Sequence, residues 1–290
     1  MPIQQDPGLS RRRLRVSLRR SRESRALTQK HVADALDWSQ SKVVRIENGF
    51  VGVSITDLRA LLALYKVSDE GEIDRLIELA RVARRRPWYR KYEHALDPDF
   101  DAYLSYESSA STICTFQPII PGLLQTEDYA RAVMQANGAS HIEERLELRL
   151  ERQAMLERAQ GPFLHCVVDE AALHRQVGGP AVMRDQLVRL KDAADQPRIS
   201  VGIIPFTAGA HPSMTEPFTI LRSDGWDEDV LFREAADRTV TNREDQDLVA
   251  GYGLRFDGLC GMRLEDEQTN ALIDRLIDGL RGAPQTRQPG

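Results

Sequence analysis

The fold of the N-terminal region is decided by the stretch LTQKHVADALDWSQSKVVRIEN, residues 27–48. Its apolar residues recur at helical spacing and predict two short helices, each with one buried face. They are Val32, Leu36, Val43 and Ile46. Ala33 supplies the small residue that a close crossing of two helices requires. Thr28 and Ser39 each precede a run that favours helix, so we expect them to cap the two helices of a helix-turn-helix.

The outer face of the second helix carries side chains suited to reading DNA. Its outward residues are Gln40, Ser41, Lys42, Val44 and Arg45. Glutamine can pair with two atoms of adenine, arginine with two of guanine, and a valine methyl can contact a thymine methyl. We therefore expect base contacts from Gln40, Ser41, Val44 and Arg45. We expect phosphate contacts from Gln29, Lys30, Lys42, Asn48, Arg15 and Arg19.

The same stretch resembles the helix-turn-helix of the lambda-repressor-like (Xre) transcriptional regulators. Their usual pattern is LTQ-x3-A-x2-LG-x-S-x-S-x-V-x-R-x-E-x-G. The sequence departs from it at Asp37, where glycine is usual in the turn, and at Ala26, where glycine usually precedes the motif. Aspartate tolerates the left-handed conformation better than most residues, so we expect an intact turn at a small cost. The alternative is a helical hairpin in a larger α domain, with Gln40 and Arg45 merely solvated.

Three further helices are predicted around the motif, which makes a five-helix, all-α domain. They cover residues 11–24, a segment capped by Ser54 or Thr56, and a segment from Ser68 to the helix breaker Pro87. Arginines crowd the first of these helices: Arg11, Arg12, Arg13, Arg15, Arg19, Arg20 and Arg22. Each could add a salt-sensitive phosphate contact, or they could form a solvated charged face.

The charge of the chain is divided unevenly. Residues 1–92 hold 20 Lys+Arg and 11 Asp+Glu, a net charge of +9, and the other 198 residues hold 19 and 33, a net charge of −14. A length of 290 residues is sufficient for two domains. A basic domain joined to an acidic one is typical of a protein that contacts DNA at one end only.

Several other classes of protein are disfavoured. Cys114, Cys166 and Cys260 are odd in number and lack metal-ligand spacing, so we expect reduced thiols in a cytoplasmic protein. The chain has no apolar run of about 18 residues and no charged-then-apolar leader, so we expect neither a membrane span nor a signal peptide. No cofactor or metal site is predicted.

The second domain is predicted to be α+β, with a small β-sheet covered by helices. Its four predicted strands are FLHCVVDE, RISVGIIPF, FTILRS and DVLFREA, which are rich in Val, Ile and Phe. Helices are expected at residues 101–116, from the Thr126 cap to Gly138, at 142–160, after Gly178–Pro180, at about 244–256 and at 265–280. The expected division is a disordered N-terminus at 1–10, the helix-turn-helix domain at 11–86, a joint at 87–98, a regulatory α+β domain at 99–281 and a disordered tail at 282–290.

This second domain also resembles a known group. The segments PGLLQTEDYARA, LRLERQAMLER, VVDEAALHRQVGGPAVMRDQL and ISVGIIPFTAGAHPSMTEPFTIL are similar to the C-terminal domain of actinobacterial, antitoxin-like Xre regulators with a DUF5753 domain, which include the WhiJ-like proteins. The resemblance covers about residues 14–280. It implies control of development or antibiotic production, with a small acidic DUF397-type protein as partner. The chain departs from the group at VLFRE, residues 230–234, where Arg233 is unusual.

Catalysis is not expected in the second domain. Glu170 and His174 are four residues apart and His211 lies in a Gly/Pro-rich loop, but no third group stands at a diagnostic spacing. A non-catalytic pocket beside the loop GAHPSMTEPF is the better hypothesis, with a packed surface loop as its alternative. The candidate pocket residues are His211, Met214, Phe218, Glu170 and His174. The stretch PGLLQTEDYARA could dock a partner or simply belong to the core.

Together these patterns predict a sequence-specific, DNA-binding transcriptional regulator. We expect a homodimer, because one recognition helix reads only a few base pairs and two half-sites supply the needed specificity. The C-terminal domain is expected to sense a partner protein or a small effector. The alternative is an antitoxin-like interaction module that binds a DUF397-type partner and uses DNA binding for autoregulation.

Overall fold

The computed structural model describes residues 7–48, 51–96, 98–108, 110–158, 161–222, 229–234, 239–242 and 245–281. The chain divides into two compact units, Met1–Arg90 and Lys91–Gly290. The disorder expected at residues 1–6 and 282–290 falls outside the described residues. Residues 7–10 were also expected to be disordered, but they form the first turn of a helix that begins at Pro7. Proline favours that position because the first turn needs no N–H donor from it.

Over its described residues the N-terminal unit is all-α, as predicted. Its helices are α1 (Pro7–Glu23), α2 (Gln29–Leu36), α3 (Gln40–Asn48), α4 (Ile55–Leu64) and α5 (Glu70–Val82). Each helix contributes to one apolar core, in which the most deeply buried residues include Leu18, Val32, Val43, Leu58 and Leu76. The spacing of these residues along the chain is the spacing that predicted the helices. The five-helix domain is therefore confirmed.

The turn of the helix-turn-helix forms as expected. Thr28 Oγ1 accepts a hydrogen bond from the N–H of His31 at 3.1 Å, and Ser39 Oγ accepts one from the N–H of Lys42 at 3.3 Å. Asp37 adopts the left-handed conformation, with φ 55° and ψ 42°, in the place where glycine is usual. The N–H of Trp38 then closes α2 by donating to the carbonyl of Ala33. Aspartate thus tolerates this turn, and the motif is intact.

The C-terminal unit alternates helices with strands. Its helices are α6 (Pro98–Glu107), α7 (Glu127–Ala136), α8 (Ile142–Leu156), α9 (Ala171–His174), α10 (Pro180–Ala194), α11 (Gln246–Cys260) and α12 (Asp266–Leu280). Its strands are β1 (Thr112–Gln117), β2 (Phe163–Asp169), β3 (Ile199–Ile204), β4 (Phe218–Arg222), β5 (Val230–Glu234) and β6 (Thr239–Asn242). A 3-10 segment, Trp88–Ala95, joins the two units along the chain. Within the described ranges, no helix has both the length and the apolar character that crossing a bilayer requires.

The described strands form one mixed sheet in the order β3-β2-β1-β4-β5-β6. β1, β2 and β3 are parallel, and β4, β5 and β6 pair antiparallel. The four predicted strands are present, but β1 and β6 were not predicted. Residues 101–116 were expected to be one helix; instead α6 ends at Glu107 and TICTFQ forms a central strand. A strand buried on both faces shows no alternation of polar and apolar residues, so its pattern does not distinguish it from a buried helix.

Helices cover both faces of the sheet, which places two apolar cores in the unit. On one face, residues such as Ile113, Leu164 and Ile203 pack in a cluster with residues of α10 and α12. On the other, Phe116 and Ile220 pack in a cluster with Tyr252 and Phe256 of α11. Because the strands at the centre are covered on both sides, the sheet is a rigid platform for side chains at its edges and ends.

The three cysteines are free, in agreement with the expectation of reduced thiols. Burial raises the pKa of the Cys114 thiol to about 11 and that of the Cys166 thiol to about 12. Burial also raises the pKa of Cys260. A thiol attacks electrophiles and binds metals as the thiolate, so these groups are weak nucleophiles at neutral pH. They act here as small apolar residues of the core.

Candidate nucleic-acid interface and effector cavity

The outer face of α3 presents the four residues that were expected to read bases. Gln40, Ser41 and Arg45 are exposed, and Val44 is half-buried. Residues at positions i, i+1, i+4 and i+5 lie on one side of a helix, so the four side chains share a surface. Val43 and Ile46, on the opposite side of α3, are buried in the core. The helix therefore exposes polar hydrogen-bonding groups beside one apolar side chain, which is the chemistry that base edges in the major groove require. 

A buried ionic network holds α3 against the rest of the domain. Glu47 of α3 is 8% exposed and accepts two hydrogen bonds from Arg22 of α1, at 2.7 and 3.2 Å. Gln29 Nε2 of α2 donates to the same carboxylate at 2.7 Å, and Arg22 also donates to the carbonyl of Leu27 at 2.7 Å. The hydrogen bond to Glu47 raises the pKa of Arg22. One carboxylate thus connects three helices and fixes the orientation of the face that carries Arg45.

This network corrects one expectation about the arginines of α1. Arg22 was among the residues that could contact phosphate, but its guanidinium is buried and paired with Glu47. A guanidinium that is both buried and paired with a carboxylate is not available to the DNA backbone. The sequence did not reveal this. Arg22 follows the buried Leu18 by four residues, and an arginine at that position on a helix can either be buried or reach the surface. 

The other phosphate candidates lie in different environments. Lys30 and Arg19 are exposed, and Arg19 Nε lies 2.9 Å from Glu23 Oε1 in an i,i+4 pair. Arg15 and Gln29 are half-buried. The side chain of Asn48 lies outside the part of the molecule that is described. Lys30 is thus the most accessible of these groups at the start of α2, where a helix of this motif crosses the phosphate backbone.

Lys42 is held within the domain by two neighbours. Its Nζ lies 2.9 Å from Asp57 Oδ1 and 3.7 Å from the ring centroid of Trp38. Although partial burial opposes the effect, hydrogen bonds from Lys42 and Ser54 lower the pKa of Asp57. The ammonium group is therefore paired with a carboxylate and stacked on an aromatic face before any DNA arrives. Trp38, in the turn of the motif, was not identified from the sequence as part of this surface.

Of the five residues expected near the GAHPSMTEPF loop, Glu170 and His174 contact each other, and His211 and Phe218 both lie against the ring of Phe116. Glu170 accepts a hydrogen bond from the N–H of Phe206 at 2.8 Å and pairs with His174 at 3.2 Å, so these two residues anchor the end of β2. His211 is buried against the ring of Phe116, with Nε2 3.5 Å from Asp169. Met214 is 61% exposed, whereas Phe218 is buried on β4.

A cavity of about 230 Å³ lies elsewhere in the C-terminal unit, beside β1, β4 and β5. The apolar residues of its lining are Phe100, Tyr103, Ile113, Ile119, Ile120, Pro121, Gly122, Leu123, Val133, Leu164, Phe218 and Phe232. The polar lining residues are Thr115, Gln117, Gln125, Asn137, Arg149, Arg152 and Thr219. Of the five pocket residues expected from the sequence, all of which are described, Phe218 alone lines this cavity. Small-molecule sites combine apolar surface with polar groups that fix the orientation of the ligand, and this cavity has both, with a larger polar share than is usual.

A buried ion pair closes one side of this cavity. Arg152 of α8 donates to both carboxylate oxygens of Glu107, at 2.7 and 2.8 Å, and Tyr103 donates to the same carboxylate at 2.8 Å. Although burial opposes it, the negative charge of Glu107 raises the pKa of Arg152. The rings of Phe100 and Tyr103 lie 5.2 and 5.4 Å from this guanidinium. The charges of Arg152 and Glu107 are therefore paired with each other, and Arg152 forms part of the lining of the cavity.

A second polar group of the cavity surrounds Arg149. Its Nη1 donates to Gln125 Oε1, and Gln125 in turn donates to the carbonyl of Ile120 at 2.7 Å. On the sheet side, the hydroxyls of Thr115 and Thr219 are 2.8 Å apart. The cavity therefore combines a guanidinium and two hydroxyls with an apolar wall, which suits a small ligand that has an apolar body and an acceptor group.

The stretch PGLLQTEDYARA contributes both to the core and to this cavity. Leu124 and Tyr129 are fully buried, and Thr126 caps α7 by accepting from the N–H of Tyr129. Gln125, between a buried leucine and the cap, reaches the cavity. A glutamine among core residues, as Gln125 is, is the local sequence signal that could have indicated a buried polar site at this position. Arg149 gave no such signal, because it is one of several charged residues on α8.

Comparison with known proteins agrees with this architecture. A family model described as a helix-turn-helix domain matches residues 13–76, and the region it matches holds the exposed face of α3. The protein is therefore a DNA-binding regulator of the helix-turn-helix class. A second model, described as a domain of unknown function (DUF5753), matches residues 100–275, more than half of the chain, and the chain belongs to that family. Neither the curated proteins nor the solved structures gave a match.

Proposed function

We propose that the protein is a homodimeric, sequence-specific transcriptional regulator in which α3 reads the operator and the C-terminal cavity binds a small effector. The observation that carries the proposal is the exposed group on α3, formed by Gln40, Ser41, Val44 and Arg45 and supported by the buried Glu47 network. The dimer follows from specificity, because one such helix reads only a few base pairs and two half-sites are needed. The expected phosphate contacts are Lys30, Gln29, Lys42, Asn48, Arg15 and Arg19.

The Arg45→Ala variant tests the reading of bases. We expect it to weaken binding to the preferred duplex by about 1–3 kcal/mol and to relax the preference at one base position, as one lost bidentate contact does. The preferred sequence is first selected from randomised duplexes, and affinities are then measured by fluorescence anisotropy at a fixed salt concentration. Binding to random DNA should fall much less.

The matched control is Arg81→Ala, since Arg81 is an exposed arginine of α5 that pairs with Glu78. It removes the same charge from the same unit without touching α3, so operator binding should keep its sequence preference. Equal losses for Arg45→Ala on selected and random DNA would show that Arg45 contacts the backbone rather than a base.

The effector proposal rests on the composition of the cavity. Its volume of about 230 Å³ is small for a ligand site, since drug-sized pockets reach about 300–1,000 Å³. We therefore propose a compact molecule whose apolar body contacts residues such as Leu123 and Val133, and whose carboxylate or similar acceptor contacts Arg149. The hydroxyls of Thr115 and Thr219 would complete its hydrogen bonds.

A Val133→Phe variant tests the cavity by filling it. Benzoate, indole-3-carboxylate, branched-chain carboxylates and the matched amides are screened for a rise in the melting temperature of the full-length protein, because a ligand that binds only the folded state stabilises it. A carboxylate that stabilises the wild type should fail on Val133→Phe and bind Arg149→Met at least tenfold more weakly, as loss of a charge-assisted hydrogen bond implies.

Val188→Phe is the control, because Val188 is an exposed valine of α10. The same change there should leave the response to the carboxylate intact. A compound that stabilises all three variants as well as the wild type binds outside the cavity. A screen in which no carboxylate exceeds its amide would contradict the role given to Arg149.

The alternative function is an antitoxin-like module whose C-terminal unit binds a small acidic protein of the DUF397 type. The observation that favours it is the exposure of two large apolar side chains near the β3–β4 connection, Phe206 at 58% and Met214 at 61%. Apolar side chains at such positions often belong to protein interfaces. Co-expression with a small acidic protein encoded beside the gene distinguishes the two functions, since only the module would co-purify with it in a stoichiometric complex.

A further inference from the structure

Two histidines and a glutamate from two segments of the C-terminal unit converge on one point, with His141 and Glu144 both at the start of α8. Nε2 of His94 lies 3.3 Å from Oε1 of Glu144, and Nδ1 of His141 lies 3.2 Å from Oε2 of the same carboxylate. One nitrogen of each histidine and one oxygen of the glutamate all lie within 4.8 Å of one another. His94 belongs to the 3-10 segment Trp88–Ala95, whereas Glu144 lies in the first turn of α8.

We propose that His94, His141 and Glu144 bind a transition-metal ion, with Zn²⁺ as the best fit. Imidazole nitrogen and carboxylate oxygen are both zinc ligands, and they bind at about 2.0–2.2 Å. Tetrahedral geometry at that bond length separates neighbouring ligand atoms by about 3.3 Å. The distances from His94 and His141 to Glu144, 3.3 and 3.2 Å, are close to this value, and each ends on a different oxygen of the carboxylate. A rotation of the Glu144 carboxylate that turns one oxygen towards both imidazoles would complete a set of three protein ligands, and water would take the open position.

The arrangement holds one more imidazole than a hydrogen-bonded surface pair does. One histidine beside one carboxylate is common, and His174 beside Glu170 is such a pair in this molecule. At Glu144, two imidazoles approach the two oxygens of a single carboxylate, with ring centroids 5.5 Å apart and planes at 86°. When both rings are neutral, as metal binding requires, each has a lone pair that a cation can share.

Metal binding would strengthen an existing attachment of the 3-10 segment to α8. Tyr92 donates to Glu151 at 3.1 Å, and Lys91 pairs with the same carboxylate. Glu144 and Glu151 are seven residues apart and share one side of α8. The contact of His94 with Glu144 lies about two helical turns nearer the N-terminus of α8 than the contacts of Lys91 and Tyr92 with Glu151. A bound ion would therefore fix the segment that follows directly after Arg90, where the N-terminal unit ends.

Calorimetric titration of the tag-free, chelator-treated, full-length protein with ZnCl₂ tests the site. We expect one Zn²⁺ per chain and a rise in melting temperature on binding, and no binding of Mg²⁺, which prefers oxygen ligands. His94→Ala, His141→Asn and Glu144→Gln should each weaken Zn²⁺ binding at least about tenfold, because loss of a hydrogen bond that merely orients a ligand already costs about 10–100-fold. Asparagine is chosen at 141 because His141 has φ 54°, which asparagine tolerates.

His174→Asn is the matched control, since it removes a histidine from a His–Glu pair that has no third ligand among the described residues. It should leave Zn²⁺ affinity unchanged. Substitution of Co²⁺ gives an independent readout, because a four-coordinate site with nitrogen ligands has a visible absorption that the His94→Ala/His141→Asn double variant should lose. Absence of stoichiometric uptake by the wild type would overturn the proposal. Unchanged affinity in the double variant would overturn it as well, because the ion would then bind elsewhere.

Discussion

The Glu47→Ala variant is expected to destabilise the N-terminal unit by about 3–5 kcal/mol, the usual cost of removing one partner of a buried ion pair. The carboxylate accepts hydrogen bonds from Arg22 and from Gln29, so its loss leaves a buried guanidinium without its main partner. Native-state hydrogen exchange of the full-length protein, followed on peptides from α1, α2 and α3, measures the loss. DNA binding should fall together with stability.

Two comparisons separate this effect from a general effect of losing charge. Glu72→Ala removes a partly exposed carboxylate that pairs with Arg75 at the surface, and pairs of that kind contribute about 0.2–1 kcal/mol. The double variant Arg22→Met/Glu47→Leu replaces both buried partners with apolar groups and should recover much of the lost stability. If Glu47→Ala costs no more than Glu72→Ala, the network does not hold α3. Arg45→Ala, in contrast, should reduce DNA binding without reducing stability.

A loss of about 3–5 kcal/mol is also expected for Arg152→Ala, this time in the C-terminal unit. Arg152 is 7% exposed, and its guanidinium meets both oxygens of Glu107, which is buried as well. Its removal leaves the carboxylate buried without its guanidinium partner, although the hydroxyl of Tyr103 still donates to it. Hydrogen exchange of peptides from β1 and α8 reports the change, because these elements line the cavity beside the pair.

Arg184→Ala serves as the comparison for Arg152→Ala. Arg184 is exposed on α10 and pairs with its neighbour Asp185, so its loss should change stability by no more than about 1 kcal/mol. A second comparison uses Arg149→Met, which changes the cavity without breaking the buried pair and should affect ligand binding more than stability. Similar stability of Arg152→Ala and Arg184→Ala would mean that the pair with Glu107 is not part of what holds the cavity.

The helix-turn-helix was predictable in detail because its determinants are local. Capping by Thr28, the left-handed turn at Asp37 and the buried positions of α3 depend on residues within about four positions of one another. The regular spacing of apolar residues also identified the other helices of the N-terminal unit. What the pattern missed in this unit was the role of Arg22, since its partner Glu47 is 25 residues away.

In the C-terminal unit, what the sequence missed depends on residues whose partners are distant in sequence. β1 was taken for the end of a helix because a central parallel strand is apolar on both faces. The pocket was expected beside His211, in a loop rich in glycine and proline. That expectation stays a prediction, and the cavity described above, which was not foreseen, lies where the sheet meets α6, α7 and α8 and draws its lining from residues between Phe100 and Phe232.

By itself, the sequence determined the class of each unit, the helix-turn-helix and the face of α3 that it exposes, because helix periodicity, capping and turn chemistry act over a few residues. Only the tertiary structure decided the order of the strands, the Arg22–Glu47 and Arg152–Glu107 pairs, the cavity and the approach of His94 to Glu144. Each of these joins segments far apart along the chain, and their meeting depends on how whole elements pack. Local sequence patterns carry no information about which distant side chains will come into contact.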